Sequence, residues 1–83
     1  MSDGKHIIAA TWPPRPEKFP DLMTSIEAAM YLRLDEIGQS QKQALRNLKF
    51  WRDRGELRAT RYVRNVWFLR SQLDKFLENK TEI

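Results

Sequence analysis

The chain has 83 residues, room for one small domain and not for two. Its 41% hydrophobic and 31% charged residues are ordinary for a globular domain, and its longest apolar runs, such as Val66-Trp67-Phe68-Leu69, are far too short to span a bilayer. The absence of cysteine excludes disulfides, thiolate zinc sites and thiol chemistry; with only Ile7 to Ala10 as an apolar run near the start, the chain reads as cytoplasmic and without a secretion leader.

All four prolines, Pro13, Pro14, Pro16 and Pro20, fall in the first twenty residues. Proline removes amide donors and biases the residue before it to extended conformations, so residues 1–20 are expected to form a mostly disordered arm, with Trp12 and Phe19 as the side chains able to tack it onto the domain. The domain proper is expected over residues 21–80. Thr24 followed by Glu27 is a capping-box spacing and predicts a helix over about 25–32, with Ile26, Ala29, Met30, Leu32 and Leu34 as its buried stripe. Residues 34–38 read as a connector.

Ser40 is the next cap. Strong helix formers run from Gln41 to Arg54 without proline or glycine, and Gly55 suits the left-handed position just past a helix end. At 100° per residue, Ala44, Leu45, Leu48 and Trp51 fall within about 120° of one another, which leaves Lys42, Gln43, Arg46, Lys49, Phe50 and Asp53 on the other side. Phe50 is either a partner contact or a side chain folded beneath the first helix. After Gly55 the pattern turns to β-branched and aromatic residues, predicting a hairpin of strands 57–63 and 66–69 in which Asn65 helps turn the chain. Ser71 and Asp74 offer a further capping box for a closing helix to about Asn79, with Leu73, Phe76 and Leu77 as its stripe. Trp67 packs against that helix or lies on the ligand-facing side of the hairpin.

Charge is distributed unevenly along these elements. The net charge of +4 comes from residues 42–70, where nine cations stand against Asp53 and Glu56 alone, while residues 21–41 hold Arg33 against four acids. A polyanion is the natural partner of such a stretch. The expected fold class is mainly α with a small β-hairpin, and helix, connector, helix, basic hairpin, helix is the order of a winged helix-turn-helix. A helix fits the major groove of B-DNA and a hairpin beside it reaches phosphates or the adjacent groove. Lys42, Gln43, Arg46, Asn47 and Lys49 on the second helix, with Arg61, Arg64 and Asn65 on the hairpin, are the candidate DNA-binding residues.

Met23-Thr24-Ser25-Ile26-Glu27-Ala28-Ala29-Met30-Tyr31-Leu32 resembles the opening of excisionase-type, MerR-like winged-helix domains. Trp51-Arg52-Asp53-Arg54-Gly55-Glu56-Leu57 is similar to that family's end of recognition helix, glycine and first strand, and the segment from Val66 to Leu77 resembles its second wing strand running into the last helix. The resemblance covers roughly residues 21–79. The chain departs from the family in a longer connector and in having Val63-Arg64-Asn65 where glycine is usual near the wing tip. The resemblance implies sequence-specific binding of double-stranded DNA, as a recombination directionality factor or a transcriptional regulator, with a recombinase or the transcription machinery as protein partner.

The competing reading is an adaptor whose basic face docks an acidic protein. Catalysis is not expected: His6 is the sole histidine, Asp35 and Glu36 are adjacent in a connector, and there is no glycine-rich phosphate loop, so no catalytic residue, cofactor or metal is assigned. A monomer in free solution is expected, with assembly along DNA.

Overall fold

A computed structural model describes residues 12–81. In chain order these form β1 (Leu22–Met23), α1 (Ser25–Tyr31), α2 (Gln41–Asp53), β2 (Thr60–Tyr62), β3 (Asn65–Leu69) and α3 (Arg70–Lys80). The result is a small mixed α/β unit of three helices and a three-stranded antiparallel sheet of order β1-β3-β2. The expected hairpin is therefore incomplete. Leu22 pairs with Leu69 and Met23 with Phe68, adding a third strand. Two residues are too few to show the alternation by which a strand is read.

Residue pairing across the sheet sorts its two faces. Met23 and Phe68 are opposite each other and fully buried, whereas Leu22 and Leu69 lie on the outer side and are exposed. The core gathers around the inner pair from every helix: Ala28 and Ala29 of α1, Ala44 and Leu48 of α2, Leu73 and Phe76 of α3, together with Leu34 and Leu57 from the connections. Leu45, expected in the packed stripe, sits at its edge and is exposed.

The helix ends follow local chemistry. Thr24 accepts from the Glu27 amide at 3.2 Å while the Glu27 carboxylate accepts from the Thr24 amide at 2.9 Å, completing the capping box. At the other end of α1 the chain turns with Arg33 at φ 63°, and the amides of Arg33 and Leu34 return to the carbonyls of Met30 and Ala29. That is a Schellman motif with arginine in the position glycine favours, and it drops Leu34 into the core. The connector is a further coil closed at Gly38, whose φ is 94°. Ser40 caps α2 by accepting from the Gln43 amide at 3.1 Å, and Gly55, at φ 77°, ends it as expected.

The capping box expected at Ser71 and Asp74 does not form. α3 begins at Arg70, two residues before the start that a Ser71 cap would give, directly from β3 and with no side-chain cap. Its first amide is satisfied instead by the carbonyl of Asp21 at 2.8 Å, and Asp74 accepts the Tyr31 hydroxyl at 2.5 Å. This hydrogen bond is the main reason the Tyr31 phenol is held above its ordinary pKa.

Residues 1–11 of the expected arm lie outside the described residues. Residues 12–20 have no regular structure, yet their side chains lie against the domain. The Trp12 indole donates to the Gln39 carbonyl at 2.9 Å, and the Arg15 guanidinium reaches both Asp35 oxygens at 3.1 Å and the Met30 carbonyl at 2.6 Å. The ring of Phe19 meets Tyr31 edge-on at 5.4 Å. A proline-rich segment supplies few hydrogen bonds of its own, so these side chains hold it in place. Trp12→Ala is accordingly expected to lower the unfolding free energy by about 2 kcal/mol, the loss of a half-buried aromatic and one hydrogen bond. A urea midpoint equal to that of the parent would show the segment contributes nothing.

Candidate nucleic-acid interface

The inward face of α2 is fixed by Ala44 and Leu48, which are buried, and by Trp51, whose ring packs on Phe76 at 4.9 Å. With that face committed, helical geometry sends Lys42, Arg46, Lys49 and Asp53, spaced by three or four residues, along the opposite side, and all four are exposed. Gln43 and Phe50 flank this stripe. Phe50 is exposed, not folded beneath α1, and the Arg54 guanidinium lies 5.3 Å from its ring centre. Asn47 stands apart from the other candidates on this helix: its side-chain amide donates to Gln39 Oε1 at 2.9 Å, which ties it to the connector.

Asp53 carries the stripe into a cleft of about 450 Å³ between the end of α2 and the hairpin, lined by Arg52, Asp53, Gly55, Arg58, Arg61 and Val66 among others. Arg61 faces this cleft because it pairs with Val66, whose side chain points to the core side of the sheet. Two of the cleft's arginines, Arg52 and Arg58, were not among the candidates from sequence. Arg52 is not a partner of Asp53, because adjacent helical residues do not face each other. Asp53 pairs with Lys49 one turn away, at 3.0 Å.

The few acids of this region are already engaged. Glu56 accepts from Lys80 Nζ at 2.8 Å and from Arg54 Nε at 2.7 Å. The Lys80 contact first, then the Arg54 contact, hold its carboxyl below the ordinary range. Lys42, Arg46, Arg52, Arg58, Arg61 and Arg64 have no carboxylate partner among the described residues. Like charges left without counter-ions on one stretch of surface raise the local potential, the condition for attracting a polyanion. The Lys49 pair is exposed on both sides and worth under about 1 kcal/mol, so Lys49 remains available to a stronger anion.

The hairpin tip differs from expectation. Tyr62 pairs with Asn65, so Asn65 is a strand residue, and the turn is made by Val63 and Arg64 at φ 61° and 128°. Positive φ at both positions matches the right-handed twist of a two-residue hairpin, for which Asn-Gly is the favoured pair. For valine the left-handed region costs roughly 1–2 kcal/mol. Trp67 lies on the outer side of the sheet opposite Thr60 and borders Thr24, Ser25 and Ile26 at the start of α1.

No helix among the described residues is long and apolar enough to cross a membrane. Comparison with protein-family models, curated proteins and solved structures gives no match.

The Glu56 clamp has a pH signature. A carboxyl with its pKa depressed in the folded state stabilises fully above its unfolded pKa, and loses that contribution as pH falls through the folded value. Glu56→Gln is therefore expected to be less stable than the parent at pH 7, with the gap closing under acid. A gap unchanged from pH 7 to below the carboxylate range would contradict the clamp.

Proposed function

We propose that the protein binds double-stranded DNA with sequence preference as a small winged helix-turn-helix protein, with α2 as the reading helix and the β2–β3 hairpin as its wing. The observation that carries this reading is the set of cations without carboxylate partners among the described residues. Lys42 and Arg46 stand on the exposed stripe of α2, Arg52, Arg58 and Arg61 line the cleft where that stripe ends, and Arg64 is at the tip. The resemblance of residues 21–79 to excisionase-type, MerR-like domains supports the same reading, and with it a role in directing recombination or regulating transcription.

The two groups of cations do different work. Arg46, with Lys42 and Gln43 beside it, meets base edges in the major groove, where an arginine bonds both guanine acceptors. Arg52, Arg58 and Arg61 surround a concave site and neutralise backbone phosphates, which fix register and supply affinity without reading sequence. Asn47, tied to Gln39, belongs to the scaffold of the helix pair.

Selection of bound duplexes from a random pool, followed by titrations at several salt concentrations, tests the assignment. Arg46→Ala is expected to cost about 1–3 kcal/mol on the selected site and to relax preference at one or two positions, whereas Arg58→Ala weakens all duplexes equally and lowers the salt slope by about one phosphate contact. A pool without enrichment, and binding without salt dependence, would remove DNA as the ligand and leave the acidic-protein reading in its place.

A further inference from the structure

Three arginines from different parts of the chain meet at one hollow. The cleft of about 450 Å³ is lined by Arg52 of α2, Arg58 of the segment that leads to the hairpin and Arg61 of β2, with the half-buried Ala59 and Val66 beside them. The acid in its lining, Asp53, is held by Lys49 at 3.0 Å. Gly55 and Arg58 also line a second hollow, of about 80 Å³, to which α3 adds Lys75 and whose acid, Glu56, is held by Arg54 and Lys80. At Gly55 no heavy atom lies within 4 Å of the place a Cβ would take, so the backbone shared by the two hollows is bare. Arg52, Arg58, Arg61 and Lys75 have no carboxylate partner among the described residues, and Lys75 has no part in the DNA reading. The C-terminal end of a helix disfavours anions, but the last carbonyls of α2 are already taken: Phe50 accepts from the Arg54 amide, Trp51 from those of Glu56 and Leu57, and Arg52 from that of Gly55. The same bonds use up the local amides, so the donors left for an anion are the guanidinium and ammonium groups.

We infer that the two hollows form one site for a small anion of joined phosphates, a free triphosphate or a nucleotide that carries one, which competes with duplex for the cleft arginines; the competition rests on the DNA reading above. Size allows this occupant, since small-ligand sites run from about 300 to 1,000 Å³. Charge density favours it. A duplex strand brings one charge per about 3.4 Å of axis, so a hollow meets one or two of its phosphates, whereas joined phosphates place all their charges among the gathered arginines. Guanidinium forks bond phosphate oxygens in pairs, and Lys75 supplies a point charge where the smaller hollow ends. Ala59 and Val66 offer nothing to phosphate but give a nucleoside apolar surface to pack on, and that contact separates the two sources of the same chemistry. An occupied site neutralises Arg52, Arg58 and Arg61, so a rise in the anion releases the protein from DNA.

Calorimetric titration of the full chain with inorganic triphosphate, adenosine triphosphate and orthophosphate tests the site. Both triphosphates are expected to form one-to-one complexes and to displace labelled duplex, while orthophosphate at the same concentration does neither. Equal affinity for the two identifies the phosphate chain as the whole ligand; tighter binding of the nucleotide identifies the nucleoside contact. Lys75→Gln is expected to weaken triphosphate binding about tenfold, the loss of one charge-assisted hydrogen bond, and to bind the selected duplex like the parent. Arg46→Ala does the reverse, and Arg58→Ala weakens both ligands. Triphosphate binding without a defined stoichiometry, or unchanged in Lys75→Gln and Arg58→Ala, would overturn the site and leave the DNA reading intact. A parent that binds triphosphate but no duplex would overturn the DNA reading and the competition with it.

Discussion

The antiparallel pairing of Met23 with Phe68 is the contact on which the remaining elements depend. It joins a two-residue strand near the start of the domain to the hairpin near its end, and both side chains are fully buried. The residue after Met23 is the cap of α1, and one residue separates Phe68 from the first residue of α3. One cross-strand pair therefore sets where two helices begin. The amide of Arg70 returns to Asp21, and its guanidinium bonds the Asp21 carboxylate and the Phe19 carbonyl, closing the same corner from outside. α2 is then held against this frame by Ala44, Leu48 and Trp51, which directs its basic stripe away from the core.

Electrostatics complete what packing begins. Acids near the basic stretch are used on particular cations: Asp53 on Lys49, and Glu56 on Arg54 and Lys80. Arg33 and Arg15 are occupied with the acids of the connector, Asp35 and Glu36. Of the cations without a carboxylate partner among the described residues, all but Lys18 and Lys75 lie on α2, the cleft and the hairpin. A surface of this kind has a reason to exist if an external anion completes it, and a duplex offers phosphates at regular spacing along with readable base edges.

Features decided by neighbours in sequence were legible: the capping box at Thr24, the Ser40 cap, the glycine that ends α2, and the pair of faces that α2 presents. Features decided by distant contacts were not. The third strand is two residues long and owes its existence to β3. The start of α3 is set by Asp21, 49 residues earlier, and Asp74 is drawn to Tyr31 before it can cap anything. Proline content argued for a loose arm, yet Trp12 and Arg15 find partners on the connector that composition does not reveal. Among the site residues, Lys42, Gln43 and Arg46 are exposed where helical periodicity placed them, whereas Asn47 is taken by Gln39. Arg52 was recoverable from spacing alone, because Lys49 and Asp53 face each other across one helical turn and Arg52 and Asp53 do not. The tip was misplaced by one residue for a different reason: asparagine is the residue that tolerates positive φ, and the chain puts Val63 and Arg64 there instead.

The central claim is that one surface, made by the α2 stripe, the arginine cleft and the hairpin tip, meets duplex DNA. Mapping amide shifts of the isotope-labelled protein during titration with a duplex tests it most directly. The account predicts changes concentrated on residues 41–46, 52–61 and 62–65, with the segment from Trp12 to Phe19 and the outer pair Leu22 and Leu69 unaffected. Changes confined to that segment or to the outer sheet face, or no saturable change at low salt, would contradict it.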